Sequence, residues 1–244
     1  MIVIPTEKLL QFRKHRPFPL PDKPWLIYQQ WKDTLFLHCP VKPTTVKPLL
    51  PAGLTLDTLS GIAWVSVVAF TITDLRMRVM SVMPMLPVFN ELNLRTYVVR
   101  DNIPGICFLQ IKAGSHRAVL ANRMMTKLRY QYADIRKTPA FHYFMSADKE
   151  NSLLDIDFNP GPFFHDVPAL DRWLTERYCC YQEDDAHLYR YHIHHPIWPL
   201  YQVHTNYHLL RYNFGDLHLT DQSVHLMHYS PIQTALIWRR ERVT

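Results

Sequence analysis

The stretch that most constrains this chain is residues 88–112. Glu91, Asn93, Arg95 and Tyr97 fall on one parity, and Leu92, Leu94, Thr96 and Val98 on the other. Arg100-Asp101-Asn102-Ile103-Pro104-Gly105 then separates this run from an apolar return over 106–112. Side chains alternate across a strand, so the pattern predicts a long hairpin with one apolar and one polar face. In a one-sided sheet the polar face meets water; in a barrel wide enough to hold a ligand it faces the lumen. Facing a lumen, a carboxylate, an amide, a guanidinium and a phenol suit a small polar anion, with Arg95 as the forked donor. Glu91 and Arg95 stand about 13 Å apart along a straight strand. They cannot pair with each other, so each needs its own partner if buried.

The rest of the chain reads as more strand than helix. Nineteen prolines against six glycines, with abundant Tyr, Phe and Val, favour strands joined by proline-bounded turns. Residues 25–41 read as a helix turn or strand leading into the core, 44–51 as a short helix stopped by Pro51, and 61–70 as a buried strand. Residues 117–128 carry helical spacing. Strands are expected over 135–145 and 152–158, a loop from Pro160-Gly161-Pro162, and a helix from Pro168 to Tyr178 in which Leu170, Trp173, Leu174 and Arg177 share a face. Further strands are expected over 187–194, 198–212, 223–229 and 232–239. No linker divides the 244 residues, so the expectation is one α+β domain over 1–244, predominantly antiparallel β, curled into a barrel, with two or three short helices.

Several function classes drop out. No GxGxxG or GxxxxGK[ST] run and no GxSxG elbow occurs, which removes the usual phosphate-cradling loops and the serine-hydrolase turn. The net charge of +6 is scattered, with short basic clusters at residues 13–16 and 239–242 and no nucleic-acid-binding motif, so no nucleic-acid partner is expected. The longest apolar stretch is about half a bilayer span. The opening fifteen residues lack the order of a secretory signal, and Cys39, Cys107, Cys179 and Cys180 show no paired framework, so a cytoplasmic protein with reduced thiols is expected and no membrane partner.

Nine of the fourteen histidines lie between His187 and His228. His192 and His194 share a strand face, as do His204 and His208, while His195 points the other way. No HExxH or facial-triad spacing accompanies them, so hydrogen-bonded or surface histidines are expected and no metal or other cofactor. Two lysines are candidates for a Schiff base: Lys112, which ends an apolar strand, and Lys127, among Met124, Met125 and Leu128.

Longer motifs carry a family resemblance. Phe89-Asn90-Glu91-Leu92-Asn93-Leu94-Arg95-Thr96-Tyr97-Val98 with Pro104-Gly105-Ile106-Cys107-Phe108 resembles the signature of the uncharacterised YqjF-like family. Leu35-Phe36-Leu37-His38, Gly61-Ile62-Ala63-Trp64-Val65, His195-Pro196-Ile197-Trp198-Pro199-Leu200 and His228-Tyr229-Ser230 extend the likeness over nearly the whole chain. Cys39 and Arg129 depart from it, standing where tryptophan and proline are usual. That family is grouped with the acetoacetate decarboxylase-like superfamily. The resemblance implies a large, mainly antiparallel barrel with an internal cavity, in which decarboxylases use a Schiff-base lysine assisted by a glutamate and an arginine. Glu91 matches the glutamate and Arg123 the helix-end arginine. The lysine position falls near Tyr130, where the chain reads Leu128-Arg129-Tyr130-Gln131-Tyr132-Ala133.

The resulting expectation is a cavity for a small organic acid or carbonyl compound, held without a Schiff base. Glu91 and Tyr130 take the catalytic positions. Asn93, Arg95, Tyr97 and Arg123 contact the ligand. Any chemistry would be lyase-like. Two alternatives stand beside it: a lysine-dependent decarboxylase or aldolase using Lys112 or Lys127, and a non-catalytic structural or interaction protein with a solvated stripe. Self-association is left open.

Overall fold

Fifteen strands and four short α-helices make up the computed structural model, which describes residues 5–80, 84–147 and 151–243, so the first four residues of the opening segment lie outside the described residues. After helix α1 (Thr6–Leu9) the chain forms strand β1 (Ile27–Val41), helix α2 (Pro43–Val46), and strands β2 (Thr55–Leu56), β3 (Ala63–Met77), β4 (Phe89–Arg100) and β5 (Ile103–Ala113). Helix α3 (His116–Thr126) is followed by β6 (Tyr130–Tyr132), β7 (Asp134–Thr138), β8 (His142–Ala147) and β9 (Ser152–Phe163). Helix α4 (Ala169–Thr175) precedes β10 (Cys179–Asp184), β11 (His187–His194), β12 (Tyr201–Phe214), β13 (Leu217–Thr220), β14 (Leu226–Ile237) and β15 (Glu241–Arg242).

Seven strands close on themselves in the order β11-β10-β5-β4-β3-β1-β14, and the ring is completed where Ile193 and His194 of β11 pair with Ile237 and Leu236 of β14. The seams are antiparallel except β5 with β10, which run parallel through Ile106–Cys180 and Cys107–Tyr181. β14 also pairs with β12 at Tyr229–Tyr201, and β12 leads on to β9, β8 and β7. This second layer covers the outside of β1, β3 and β4. Leu35, Leu37, Val65, Val67, Leu92 and Leu94 pack there against Ile135, Met145, Leu154, Ile156 and Phe158. Phe36, Val68, Phe70, Tyr97, Ile106 and Ile193 fill the barrel side instead. Both parities of β4 are therefore buried, and neither is solvated.

Several elements differ from the expectation, each for a local reason. β3 runs on to Met77 because β1 continues to pair with it past Phe70. The expected strand 135–145 is the hairpin β7–β8, turned near Phe141, whose φ is +55°. β9 continues through Pro160-Gly161-Pro162 to Phe163, because the register against β12 shifts at that point, and a bulge tolerates residues that give no ladder N–H. The two strands expected over 223–239 are the single β14. Pro231 does not split it: it falls opposite Asp33, φ +50°, between the pairs Lys32–Ile232 and Thr34–Ser230, and the β1–β14 register is unbroken across that position. α4 ends at Thr175 rather than Tyr178, since Glu176 leaves helical geometry at ψ 76° and turns the chain into β10. β10, missing from the sequence reading, completes the barrel wall.

Gly105 sits where β10 meets β5. A Cβ there would lie 2.6 Å from Cys179 Sγ, 2.8 Å from Tyr181 Cε2 and 2.9 Å from the Cys179 carbonyl oxygen. Gly105→Ala is expected to lower unfolding stability by about 1–3 kcal/mol in urea denaturation, the usual cost of overpacking. Gln131→Ala, at an exposed strand position, is expected to stay within about 0.5 kcal/mol of the parent. Equal effects of the two would refute the close-approach argument.

Candidate functional site

The inward parity of β4 carries Glu91, Asn93 and Arg95 into a cavity inside the barrel. Its remaining wall is largely aromatic and aliphatic, with Trp31, Phe36, Phe70, Phe108 and Trp198 prominent, and its polar complement includes Tyr130, Arg177 and His195. The cavity volume is about 80 Å³. That is several times the roughly 10–15 Å³ needed to admit one water, and on the scale of a small organic acid.

At one end Glu91, only 4% exposed, accepts a hydrogen bond from the Tyr130 hydroxyl at 3.1 Å. Burial pushes the Glu91 carboxyl up to about 8, against the opposing pull of its Tyr130 and Asn93 hydrogen bonds. The Tyr130 phenol is driven well above its ordinary range, first by burial and then by the Glu91 charge. At neutral pH the pair is thus a protonated carboxyl beside a neutral phenol. Tyr130 is placed by the chain that leaves α3. Ser115 caps the start of that helix by accepting from Ala118 N, Lys127 closes its end at φ 62°, and the Thr126 hydroxyl accepts from Leu128 N at 3.1 Å. β6 then runs parallel to β5, pairing Tyr130 with Ile111.

At the other end two guanidinium groups converge. Arg95 Nη2 donates to the Leu174 carbonyl at 3.2 Å, and its Nε is buried with no hydrogen-bond partner among the described residues. Arg177 Nη1 donates to Asp57 Oδ2 at 2.7 Å and Nε to the Trp173 carbonyl at 2.8 Å, which leaves Nη2 buried and, among the described residues, unpartnered. Both cations approach the Tyr97 ring, Arg95 at 6.0 Å and Arg177 at 5.0 Å from its centroid. Burial lowers the proton affinity of Arg177, and its bond to Asp57 partly restores it. His195 adds no charge at neutral pH, because burial pushes its ring down to about 3. Cys180 also lines the cavity, with its thiol raised far from the reactive range by burial. Asn93 Oδ1 is a further buried atom without a hydrogen-bond partner among the described residues.

The sequence-derived candidates therefore divide. Glu91, Asn93, Arg95 and Tyr130 line one cavity. Tyr97 points to the same side but stands behind the wall, fully buried, with its hydroxyl on the Leu174 carbonyl at 2.9 Å and beside Ser66 Oγ at 2.6 Å. Arg123 does not reach the cavity: it is exposed, and its Nε donates to the Tyr130 backbone oxygen at 2.6 Å, bracing that residue from outside. Neither lysine candidate enters either. Lys112 faces the second-layer core, 5.6 Å from the Tyr212 ring centroid, because it alternates with the inward-facing Ile111. Lys127 is the exposed C-cap of α3. Among the described residues no lysine lines the cavity.

The late histidines disperse among different partners. His192 meets Glu241 at 2.9 Å, His194 Nε2 meets the Leu9 carbonyl at 2.9 Å, and His204 is exposed on the second layer. Among the described residues no three His, Cys, Asp or Glu side chains gather as metal ligands. Arg177 is the site residue that sequence reasoning missed. Helical spacing with Trp173 and Leu174 gave it a packing role, but the helix ends two residues earlier and the turn swings it into the barrel. No helix among the described residues is long and apolar enough to cross a membrane.

Known proteins agree with this architecture. The model of the DUF2071 family, described as an uncharacterized conserved protein, matches residues 28–234. The uncharacterized protein YqjF of Bacillus subtilis is 36% identical over 226 residues, covering 90% of this chain and 93% of that protein. Among solved structures, acetoacetate decarboxylase from Legionella pneumophila superposes with a TM-score of 0.61 at 11% identity, over 93% of this chain and 92% of that one. The enduracididine biosynthesis enzyme MppR complexed with pyruvate gives a TM-score of 0.60 at 9% identity, over 91% of this chain and 92% of that one. At such identities these likenesses concern the fold alone. The chain belongs to the DUF2071 family, as a relative of YqjF built on the acetoacetate decarboxylase-like fold.

Proposed function

We propose that the barrel cavity binds a small monocarboxylic acid bearing a carbonyl or hydroxyl group, without a covalent bond to the protein. The observation that carries this reading is the pair of buried guanidinium groups, each with an N–H unfilled among the described residues, around one cavity. Arg95 and Arg177 bring two positive charges, Asp57 returns one negative charge through its ion pair with Arg177, and Glu91 is uncharged at neutral pH. Buried charge requires compensation, and the charge still wanting is one negative. A carboxylate supplies it and accepts from Arg95 Nε and Arg177 Nη2 together. The ligand's other polar group then faces Glu91 and Tyr130. A protonated carboxyl there donates to a carbonyl oxygen and is a ready proton source or sink, as a general acid or base must be. The aromatic wall between the two ends excludes water and strengthens both interactions. Pyruvate, held by the structural neighbour MppR, has this chemistry and this size. With no lysine on the wall among the described residues, the reading needs no imine.

A thermal-shift and calorimetric screen of short monocarboxylic acids, pyruvate among them, is the direct test. At least one acid is expected to stabilise the protein, and Arg95→Ala and Arg177→Ala are each expected to weaken its binding by at least about tenfold, the loss of a charge-assisted hydrogen bond. An empty screen, or binding indifferent to both arginines, rejects the proposal.

The Glu91 carboxyl adds a pH signature. Its proton is held to about 8 in the folded chain and is lost near 4.5 when the group is free. The folded state thus binds more protons between those values, and Glu91 makes stability fall as pH rises from about 4.5 to about 8. Ionised Glu91 also repels an anionic ligand, so acid binding is expected to weaken as pH rises through about 8. Glu91→Gln is expected to flatten both profiles in urea unfolding and calorimetry. Profiles unchanged by this substitution would show that another group sets them.

A further inference from the structure

Behind the arginines, a line of side chains from five elements runs beneath α4. Asp171 Oδ2 lies 2.8 Å from His228 Nε2, and His228 Nδ1 lies 3.1 Å from His38 Nε2. His38 Nδ1 is 2.7 Å from Ser66 Oγ, Ser66 Oγ is 2.6 Å from the Tyr97 hydroxyl, and that hydroxyl is 2.9 Å from the Leu174 carbonyl oxygen. His38, Ser66, Tyr97 and His228 are fully buried, and Asp171 is 5% exposed. Each of these five contacts is a hydrogen bond only if one proton lies between its two atoms. The carbonyl brings none and an ionised Asp171 brings none. Two neutral imidazoles, one alcohol and one phenol bring four. Five contacts and four protons leave two lone pairs facing each other at hydrogen-bond distance, away from water.

The direction of the chain follows from its fixed end. A carbonyl oxygen only accepts, so the Tyr97 proton goes to Leu174. Ser66 then donates to Tyr97, His38 presents Nδ1–H to Ser66 and a lone pair at Nε2, and His228 donates Nδ1–H to that lone pair. The missing proton falls between His228 Nε2 and Asp171. We propose that the chain holds this fifth proton as a buried imidazolium–carboxylate pair of His228 and Asp171, and that the pair is a positioning site for the anion end of the cavity.

The surroundings favour that placement. Burial, His228 and Arg95 all lower the proton affinity of His38, which directs positive charge to the ring beside the carboxylate. His228 otherwise faces the rings of His38 and Phe164, with centroids at 5.2 and 5.6 Å. The consequence for the cavity rests on the carboxylate-binding reading above. Arg95 and Tyr97 donate to the same Leu174 carbonyl. With the proton held, Tyr97 serves that carbonyl and Arg95 is shared with the ligand. With it lost, the neutral chain reverses, Tyr97 donates to Ser66, and the carbonyl draws on Arg95 alone.

Side-chain nitrogen NMR of the full chain labelled with ¹⁵N-histidine, at pH 7.5 without ligand, tests the proton count. His228 is expected to show both ring nitrogens protonated and His38 a neutral ring with its proton on Nδ1, with His228→Gln and His38→Gln supplying the assignments. Asp171→Asn is expected to return His228 to a neutral ring and to weaken pyruvate binding by at least about fivefold, the lower range of site-to-site coupling. Two neutral rings in the parent overturn the proposal, as does an imidazolium that persists in Asp171→Asn. Unchanged pyruvate affinity in that variant overturns the positioning role. Should the variant not fold, the parent spectrum decides the proton count, and Ser66→Ala, which breaks the chain without removing a charge, decides the coupling to pyruvate. An imidazolium at His228 in a protein that binds no acid would leave the proton chain standing and refute the carboxylate-binding reading; neutral rings in a protein that binds pyruvate through Arg95 would do the reverse.

Discussion

Burial of β4 on both faces is the constraint on which this structure turns. A strand covered on one side only would leave Glu91, Asn93 and Arg95 in water, where their charges have nothing to do. Here the barrel closes around one face, and the layer β7–β8–β9–β12 seals the other with Leu92 and Leu94 against Leu154, Ile156 and their neighbours. The second layer therefore serves the cavity as well as the core. By burying the apolar parity it fixes the register of β4, since a slip of one residue would exchange the two sets. That register presents carboxyl and guanidinium at separate ends of one small space.

The two ends are made polar by opposite means. Glu91 lies among apolar neighbours with a phenol and an amide for company, so desolvation dominates and its proton is retained. Arg95 and Arg177 keep their charges, one on a backbone carbonyl and the other on Asp57, with donors left over. A buried N–H without a partner costs about 1–3 kcal/mol. Under the carboxylate-binding proposal, a ligand would relieve that cost at both groups. The ends of α4 are the common anchor: Leu174 and Trp173 receive the arginines, and Asp171 receives His228. A seven-residue helix is thereby tied to the barrel by polar contacts as well as by the burial of Leu174 in the core.

The same comparison shows what is legible in local sequence. The hairpin β4–β5 and helix α3 were readable because each is set by its own periodicity, turn residues and cap. The breaks wrongly expected at Pro160-Gly161-Pro162 and Pro231 follow from treating proline as a stop, when β9 bulges at its own prolines and β14 keeps its register against β1 on either side of Pro231. In both places the continuation is decided by pairing with a strand distant in sequence, so residues near the proline do not reveal it. Arg177 was misread for a related reason: three turns of helical spacing were inferred where the backbone makes two. Lys112 was credible as a desolvated nucleophile and is indeed buried, but on the wrong side of the wall.

The sequence by itself determined the strand-rich architecture, the two-faced character of β4 and the identities of Glu91, Asn93, Arg95 and Tyr130 as a candidate set. Those rest on side-chain alternation and on family motifs, both written along the chain. Tertiary structure alone decided that the polar face looks inward, that Arg177 joins Arg95, that Arg123 and both lysines stand outside, and that His38 and His228 meet across 190 positions to form one buried chain with Asp171. The physical reason is the same in each case. Which side of a sheet becomes an interior is settled by how the sheet closes, and a charge acquires its meaning from partners that are distant in sequence.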